Sequence, residues 1–144
     1  MQIFSRIWQR TPSEPLVSVV VASYNHAPFV ADCLRSALSQ GIDPLEIIVT
    51  DDGSTDSTAE QIAALANPRI HLHRFAQNRG ACVALNDAIR RSRGRYIAVL
   101  NSDDLFLPGK LRRQLQHLQQ NPRVGAVFGW PAFINEQGQP FDDP

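Results

Sequence analysis

Short apolar runs alternate with amphipathic stretches four times along this chain, and this alternation constrains the fold more than any other feature. The runs predict strands at residues 17–22, 45–50, 70–75 and 95–100. The first of these has no period-two alternation, as expected of a strand that is covered on both faces. Strands that alternate with helices favour an α/β fold, with a doubly wound, mostly parallel sheet and helices on both of its faces.

The stretches between the strands predict helices with recognisable ends. They are expected over residues 28–39, from about 57 to 66, over 80–92 and over 108–120. Asp56 is a natural N-cap for the second helix, and Gly41 and Gly94 end the first and the third. A last strand is predicted over residues 124–134, and the polar segment 135–144 has the composition of a loop.

Composition narrows the class of protein. The chain has 144 residues, 43% of them apolar, and a formal net charge of zero. This is the size of one globular domain that can bury a core. Zero net charge gives no bulk attraction to nucleic acid, so no nucleic-acid partner is expected. No apolar stretch approaches the roughly 20 residues that a membrane-spanning helix needs.

The cysteines and the N-terminus bear on location. Cys33 and Cys82 fall at small apolar positions of predicted helices, so we predict two free thiols in the core. Free thiols suit a reducing compartment, and we expect a cytoplasmic protein. Residues 1–15 form a separate arm with two interpretations: a short membrane-surface helix, which would place the protein at the inner face of the membrane, or a frayed or docked arm.

Two acidic pairs follow predicted strands. Asp51 and Asp52 come after the second strand, and Asp103 and Asp104 come after the fourth. In open α/β sheets, ligands bind at the carboxyl ends of the strands. Four carboxylates that converge there would repel one another without a cation. The pairs therefore predict a hard divalent metal ion and a ligand that the metal helps to hold, with a diphosphate as the obvious candidate.

Other polar residues stand at the same predicted edge. Tyr24 offers an aromatic face on which a base could stack, and Asn25 either orients a phosphate or caps the first helix. Asp52 could accept a hydrogen bond from a uracil-like imide N–H. Arg79 precedes the third helix, where a guanidinium suits an anion, although alone it reads as a surface arginine.

Two sets of residues carry no predicted site. The histidines show no metal-ligand spacing; they are His26, His71, His73 and His117. The arginines at the end of the third helix are predicted to complement its dipole; they are Arg90, Arg91, Arg93 and Arg95.

Four motifs occur in order, at residues 19–25, 49–56, 78–80 and 101–104. With these motifs in this order, the chain resembles the nucleotide-sugar-binding half of family-2 glycosyltransferases, which have the GT-A fold. The resemblance implies a nucleoside-diphosphate sugar donor, most often UDP-linked, and Mg²⁺ or Mn²⁺ as cofactor. It implies an inverting transfer of the sugar to an acceptor hydroxyl on a glycan, a lipid or another molecule.

The resemblance also implies roles for particular residues. Tyr24 and Asp52 match the base-contacting positions, and Arg79 matches a donor-contacting arginine. Asp103 matches the acid on the ribose or metal side, and Asp104 matches the metal-binding acid of the DXD motif. The expected nucleotide-sugar-binding set is completed by Ser23 and Asn25. One departure is Asn101, where the family often has Asp.

A second departure concerns the catalytic base. Family members usually continue past this point, into a half that supplies the acceptor site and a general base. The carboxylates after the last predicted strand stand in no matching motif; they are Glu136, Asp142 and Asp143. We therefore expect a nucleotide-sugar-binding domain over residues 16–134, residues 135–144 as a loop toward an acceptor half, and no catalytic base in this chain. The alternative is a nucleotide-sugar-binding module that catalyses nothing alone.

With either function, the exposed edge of the predicted sheet would favour a homo-oligomer.

Overall fold

The structure, a computed structural model, describes residues 14–135 and 138–141. The internal contacts divide the chain into two units, with the boundary between Arg112 and Arg113. We call residues 1–112 the first unit and residues 113–144 the second unit. A single domain over residues 16–134 stays a prediction, and the two interpretations of the N-terminal arm fall almost wholly outside the described residues.

The first unit confirms the predicted alternation of strands and helices. Its strands are β1 (Val17–Ser23), β2 (Leu45–Asp51), β3 (Ile70–Arg74) and β4 (Tyr96–Val99). Its helices are α1 (Val30–Leu38), α2 (Thr58–Ala64) and α3 (Ala81–Arg91), and α4 (Lys110–Gln120) begins here and continues into the second unit. The four strands form one parallel sheet in the order β3-β2-β1-β4. The predicted α/β fold is therefore correct.

The two central strands build the core. β1 and β2 pair in register from Val17 opposite Leu45 to Ser23 opposite Asp51. Val20 and Ile48 pack against Ala88 of α3 on one face of the sheet. Their neighbours in each strand point to the other face and are fully buried too. Both faces of the centre are therefore covered, which is why these strands read as continuous apolar runs.

The edge strand β4 differs from the centre. Ser18 pairs with Ile97 and Val20 with Val99, so the two β4 side chains lie on the face of the sheet that α3 covers at β1. Ile97 nevertheless remains 46% exposed and Val99 51% exposed. Apolar composition identified the strand correctly, but it did not reveal that the strand is an edge.

The arginines at the end of α3 and just after it have specific partners. Arg91 Nε lies 2.8 Å from Asp87, and Arg93 donates to the buried carboxylate of Glu46 at 2.6 Å. Asp87 also accepts a hydrogen bond from Thr50 in β2 at 3.0 Å. These contacts tie α3 to the sheet, which is a more specific role than compensation of the helix dipole.

The second unit departs from its prediction. It contains the rest of α4 and a two-stranded antiparallel sheet of β5 (Phe133–Ile134) and β6 (Pro140–Phe141). The strand predicted over residues 124–134 is wrong for 124–132, where Gly and Pro interrupt the apolar pattern. The segment predicted as a loop supplies β6. Among residues 14–135 and 138–141, no helix is long and apolar enough to cross a membrane.

Candidate nucleotide-binding cleft

The loops at the carboxyl ends of the strands enclose a cleft of about 580 Å³ in the first unit. The loops after all four strands and the start of α3 contribute its walls. The polar and aromatic lining residues are Ser23, Tyr24, His26, Asp52, Asn78, Cys82, Asn101, Ser102 and Asp103, beside Ala22, Gly80, Ala81, Leu85 and Leu100. Of the predicted site residues, Ser23, Tyr24, Asp52 and Asp103 meet here. Asn25, Arg79 and Asp104 lie outside the lining.

Asp52 is built into the wall of the cleft. Its side chain is nearly inaccessible, and the residue is 2% exposed. One carboxylate oxygen accepts from the backbone N–H of Arg79 at 2.7 Å, and the other accepts from Gly80 N–H at 2.8 Å. Each oxygen retains a second lone pair. Asp52 therefore fixes the loop before α3 and still presents acceptor capacity to the cleft.

The loop after β2 needs a glycine directly after Asp52. Gly53 has φ +75°, and a Cβ there would lie 2.7 Å from the backbone carbon of Gln77. Only glycine permits both this conformation and this close approach. The loop after β2 and the loop after β3 are therefore packed backbone to backbone, and this packing supports the Asp52 contacts.

Asp51 belongs to the scaffold. It is fully buried, and its carboxylate pairs with Arg74 Nε at 3.2 Å. It also accepts from the backbone N–H of Ser54 at 3.1 Å and from the Ser54 hydroxyl. The prediction that all four carboxylates converge on a metal ion is therefore wrong for Asp51, whose charge Arg74 already pairs. Asp52 lines the cleft and is held by backbone amides.

Asn25 joins two loops. Its side-chain oxygen accepts from Thr55 N–H at 2.9 Å, and its backbone N–H donates to the Ser54 hydroxyl at 2.9 Å. Its φ of +54° is a conformation that asparagine tolerates better than most residues. Neither bond serves α1, and the residue that precedes α1, Phe29, makes no capping bond with its side chain. Capping of the first helix by Asn25 is therefore wrong.

Asp56 performs the predicted capping and adds a tie. One oxygen accepts from Thr58 N–H at 2.9 Å at the start of α2, and the other accepts from Ala27 N–H at 3.1 Å. These bonds hold the pKa of Asp56 below its ordinary value, with the Thr58 hydroxyl as the largest contribution. Asp56 thus fastens the loop after β1 to α2.

The Arg79 side chain lies on the rim. It is exposed, and its guanidinium carbon lies 4.8 Å from the centre of the Phe75 ring. This cation–π contact holds the charge beside the loop that Asp52 organises. A ligand would meet the guanidinium only beyond the cleft lining.

The acidic turn, residues 101–104, forms the opposite wall through its first three residues. Asp104 N–H donates to the carbonyl oxygen of Asn101 at 3.1 Å, and Asn101 Nδ2 donates to Asp104 Oδ2 at 2.8 Å. Both carboxylates of the turn are exposed. Asn101, the departure from the family pattern, therefore orients Asp104 with a neutral donor where an aspartate would repel it.

The acidic turn supplies donors of the kind that a hard cation prefers. Among residues 14–135 and 138–141, no group of three or more His, Cys, Asp or Glu is arranged to hold a metal by itself. Mg²⁺ is commonly bound by one or two carboxylates that substrate phosphates and waters complete. Asp103 and Asp104 fit that set.

The nearby thiol of Cys33 does not belong to this donor set. Burial, reinforced by the charges of Asp104 and Asp103, raises its pKa to about 12, so the thiol stays protonated at neutral pH. A protonated thiol is a poor metal ligand.

Two cleft residues escaped the sequence prediction. Cys82, predicted in the core, is exposed and lines the cleft. The stripe of α3 that packs inward runs through Ala84 and Ala88, and Cys82 stands off that stripe. His26 lines the cleft beside the acidic turn, with Nδ1 2.7 Å from the Ser102 hydroxyl. Its position directly after Tyr24 and Asn25 was the available signal.

Comparison with known proteins identifies the family. Residues 18–142 match the model of the family described as Glycosyl transferase family 2. The chain therefore belongs to glycosyl transferase family 2, and the predicted family is confirmed. It is 37% identical over 131 residues to TuaG of Bacillus subtilis (strain 168), whose name assigns it to teichuronic acid biosynthesis, across 90% of this chain and 52% of TuaG. It is 43% identical over 102 residues to the succinoglycan biosynthesis protein ExoO of Rhizobium meliloti, across 71% of this chain and 29% of ExoO.

Solved structures confirm the GT-A fold. The mannosyltransferase PcManGT from Pyrobaculum calidifontis, in complex with GDP-Man and Mn²⁺, superposes with a TM-score of 0.70 at 30% identity, over 79% of this chain and 35% of that protein. TarS of S. aureus in complex with UDP-GlcNAc gives a TM-score of 0.70 at 21% identity, over 83% of this chain and 38% of that protein. The chain thus spans about half of TuaG and less of the other three.

Proposed function

We propose that the cleft binds a nucleoside-diphosphate sugar, with a divalent metal ion at the acidic turn, and that the protein transfers the sugar to an acceptor hydroxyl. The observation that carries this proposal is the meeting of Tyr24, Asp52 and Asp103, from three separate strand ends, in one cleft of about 580 Å³. That volume lies within the range of small-molecule sites, and the walls combine apolar surface with a few polar groups.

The base end of the ligand would lie between Tyr24 and the loop before α3. Tyr24 is 41% exposed and free to stack on a base. Asp52 would accept an imide N–H with the lone pairs that Arg79 and Gly80 leave, and Asn78 lies beside it in the wall. The Arg79 guanidinium on the rim would meet the charged part of the donor. Asn25 and Ser23 would act by holding this wall in place.

The base is proposed to be uracil. Both uracil and guanine carry an imide N–H, so Asp52 alone does not separate them. PcManGT holds GDP-Man, and TarS holds UDP-GlcNAc. The resemblance to family members that use UDP-linked donors favours uridine, and guanosine is the alternative that a parallel titration distinguishes.

The diphosphate end would lie at the acidic turn. Asp103 and Asp104 would hold Mg²⁺ or Mn²⁺, and Asp103 also stands where a ribose hydroxyl would bond. When bound, the ion would act as a Lewis acid that stabilises charge on the leaving diphosphate. PcManGT was solved with Mn²⁺, which supports a divalent ion without deciding between the two metals.

A general base for the acceptor hydroxyl is not assigned in this chain. The second candidate function is therefore a nucleotide-sugar-binding module that catalyses nothing alone. The observation that favours it is the cleft itself, whose two lining carboxylates, Asp52 and Asp103, are both assigned to the donor. Transfer of sugar by the 144-residue chain alone would decide for the transferase.

The setting of the reaction is also proposed. We place the protein in the cytoplasm, with a glycan, a lipid or another hydroxyl compound as acceptor and with a homo-oligomer as its form. The open edge of β4 supports self-association, because Ile97 and Val99 are exposed there and no charge interrupts the strand. Association with a membrane surface would depend on the N-terminal arm.

A calorimetric titration tests the proposed function. UDP should bind in the presence of Mn²⁺ and bind much more weakly in EDTA, because the acidic turn needs a cation before it accepts a diphosphate. GDP, titrated in parallel, should bind more weakly than UDP. Equal UDP affinity with Mn²⁺ and in EDTA would remove the metal from the proposal, and tighter binding of GDP would reassign the base.

A further inference from the structure

We propose that His26 is a positioning residue that holds Asp103 in the orientation needed for the metal ion and the diphosphate. The inference rests on the proposed function, because it concerns the same acidic turn. It adds a residue to which neither the sequence motifs nor the comparisons gave a role.

One imidazole reaches two consecutive residues of the turn. Nδ1 lies 2.7 Å from the Ser102 hydroxyl, and Nε2 lies 4.0 Å from Asp103 Oδ2. Ser102 is buried, whereas the Asp103 side chain is 49% exposed. The His26 ring therefore joins the fixed part of the turn to the carboxylate that faces the cleft.

The chemistry of the two neighbours fixes the useful tautomer. A carboxylate only accepts hydrogen bonds, whereas a hydroxyl donates or accepts. The tautomer that serves both carries its proton on Nε2, toward Asp103, and accepts from Ser102 at Nδ1. The 4.0 Å separation is too long for a direct hydrogen bond, and a small rotation of the exposed Asp103 side chain would close it.

The ring has a rigid base. His26 N–H donates to the Thr58 hydroxyl at 2.9 Å, and Thr58 is fully buried at the start of α2. The His26 carbonyl accepts from the N–H groups of Phe29 and Val30, both at 3.0 Å, at the start of α1. Since the backbone is tied to two helices, the side chain braces the loop after β4 against the loops after β1 and β2. Sites held by such supports keep their geometry.

The two carboxylates of the turn then each have a side-chain partner. Asn101 donates to Asp104, and the Nε2 edge of the His26 ring faces Asp103. A donor without a charge of its own orients a carboxylate and leaves its negative charge available for a cation. The contrast is Asp51, whose charge is already paired with the guanidinium of Arg74. This difference separates Asp103 and Asp104, whose charges stay available to a metal ion, from Asp51.

Three substitutions of His26 separate orientation from support. His26→Ala removes both contacts, His26→Asn keeps an amide group near the Nδ1 position, and His26→Gln extends an N–H toward the Nε2 position. Mn²⁺ affinity in the presence of UDP is measured by electron paramagnetic resonance of the free ion, and UDP affinity by calorimetry. His71→Ala, on the exposed edge strand β3, is the matched control, and melting curves report folding.

We expect His26→Ala to weaken Mn²⁺ binding about 10- to 100-fold, as is typical when a partner of a metal ligand is lost. His26→Gln should recover most of that loss, His26→Asn should recover stability but little metal affinity, and the ratio of UDP affinity with Mn²⁺ to UDP affinity in EDTA should fall in step with the metal affinity. Wild-type Mn²⁺ affinity in His26→Ala, or equal rescue by Asn and Gln, would overturn the inference and leave the proposed function standing. Absence of metal-dependent UDP binding in the wild type would overturn the proposed function and this inference with it.

Discussion

At the scale of single residues, the partner of each acid decides what it can do. Asp51 and Asp52 are adjacent in sequence, yet one is paired with Arg74 and the other holds the backbone of Arg79 and Gly80. Composition places acids at a strand end, but it does not say which of them finds a cation within the protein. Two neighbouring acids thus have different functions because of partners that lie at least 23 residues further along the chain.

The cysteines show the same limit of sequence reasoning. Both occupy helices at positions that small apolar residues favour, and both are free thiols as predicted. Cys33 is buried with a pKa raised to about 12, whereas Cys82 is exposed in the cleft. The difference follows from which side of each helix meets the sheet, and a short pattern does not fix this for a position near a helix end.

This difference predicts selective labelling. Iodoacetamide at pH 8 should modify Cys82 and leave Cys33 unreacted in the native protein, because only the thiolate reacts and burial keeps Cys33 protonated. UDP with Mn²⁺ should slow the modification of Cys82, since the ligand would share its cleft. Mass spectrometry of labelled peptides measures both rates. Modification of Cys33 before Cys82 would contradict the burial of Cys33. Failure of every nucleotide to protect Cys82 would contradict the placement of the ligand in this cleft.

At the scale of elements, the central strands were predictable and the last ones were not. Burial on both faces makes β1 and β2 continuous apolar runs, and their ends were predicted to within one residue. Residues 124–132 are as apolar as a strand, but glycine and proline stop regular pairing there. The short hairpin of β5 and β6 depends on a contact between Phe133 and Phe141, with ring centres 6.1 Å apart, which a local pattern does not encode.

A buried carboxylate, that of Glu46, connects β2 to its neighbours at the amino-terminal ends of the strands, opposite the cleft. Glu46 in β2 accepts from the Ser18 hydroxyl at 2.7 Å, from Arg93 N–H at 2.8 Å and from the Arg93 guanidinium at 2.6 Å. Burial by itself favours the neutral acid, but these hydrogen bonds, led by the one from Ser18, together outweigh it and hold the pKa of Glu46 below its ordinary value. Glu46 thus fastens the turn between α3 and β4.

Because the folded pKa of Glu46 is lowered, the stability it contributes is present above the unfolded pKa, about 4.3, and is lost as the pH falls through the folded value. Glu46→Gln should reduce the free energy of unfolding by about 1.5–3 kcal/mol at pH 7. The difference from wild type should shrink below about pH 4. Urea unfolding at pH 7, 5, 4 and 3 measures it, with the exposed Glu60→Gln as control. A deficit that stays constant across these pH values would show that Glu46 acts by packing alone.

At the scale of the whole molecule, the strand order of the sheet determines where the cleft lies and puts β4 at an edge of the sheet. β1 lies between β2 and β4, so the loops after these three strands are neighbours in space although they are far apart in sequence, and all three line the cleft. The parallel alternation predicted this meeting, and the family resemblance predicted its chemistry. The contact between the His26 side chain and Ser102 could not be predicted from a local sequence pattern, because the two residues lie 76 positions apart. The exposed apolar side chains of β4 mark the surface for which we propose self-association.

The measurement that tests the account most directly compares UDP affinity of three proteins, each with Mn²⁺ and in EDTA: the wild type, Asp104→Asn and Asp32→Asn. Asp32 is an exposed acid of α1 outside the cleft lining, so its substitution removes the same charge elsewhere. We predict that Asp104→Asn lowers UDP affinity by about tenfold or more with Mn²⁺ and does not lower it in EDTA, where one less negative charge faces the diphosphate, while Asp32→Asn matches the wild type in both. Equal Mn²⁺-dependent affinity of all three proteins would contradict the claim that the acidic turn joins metal and nucleotide.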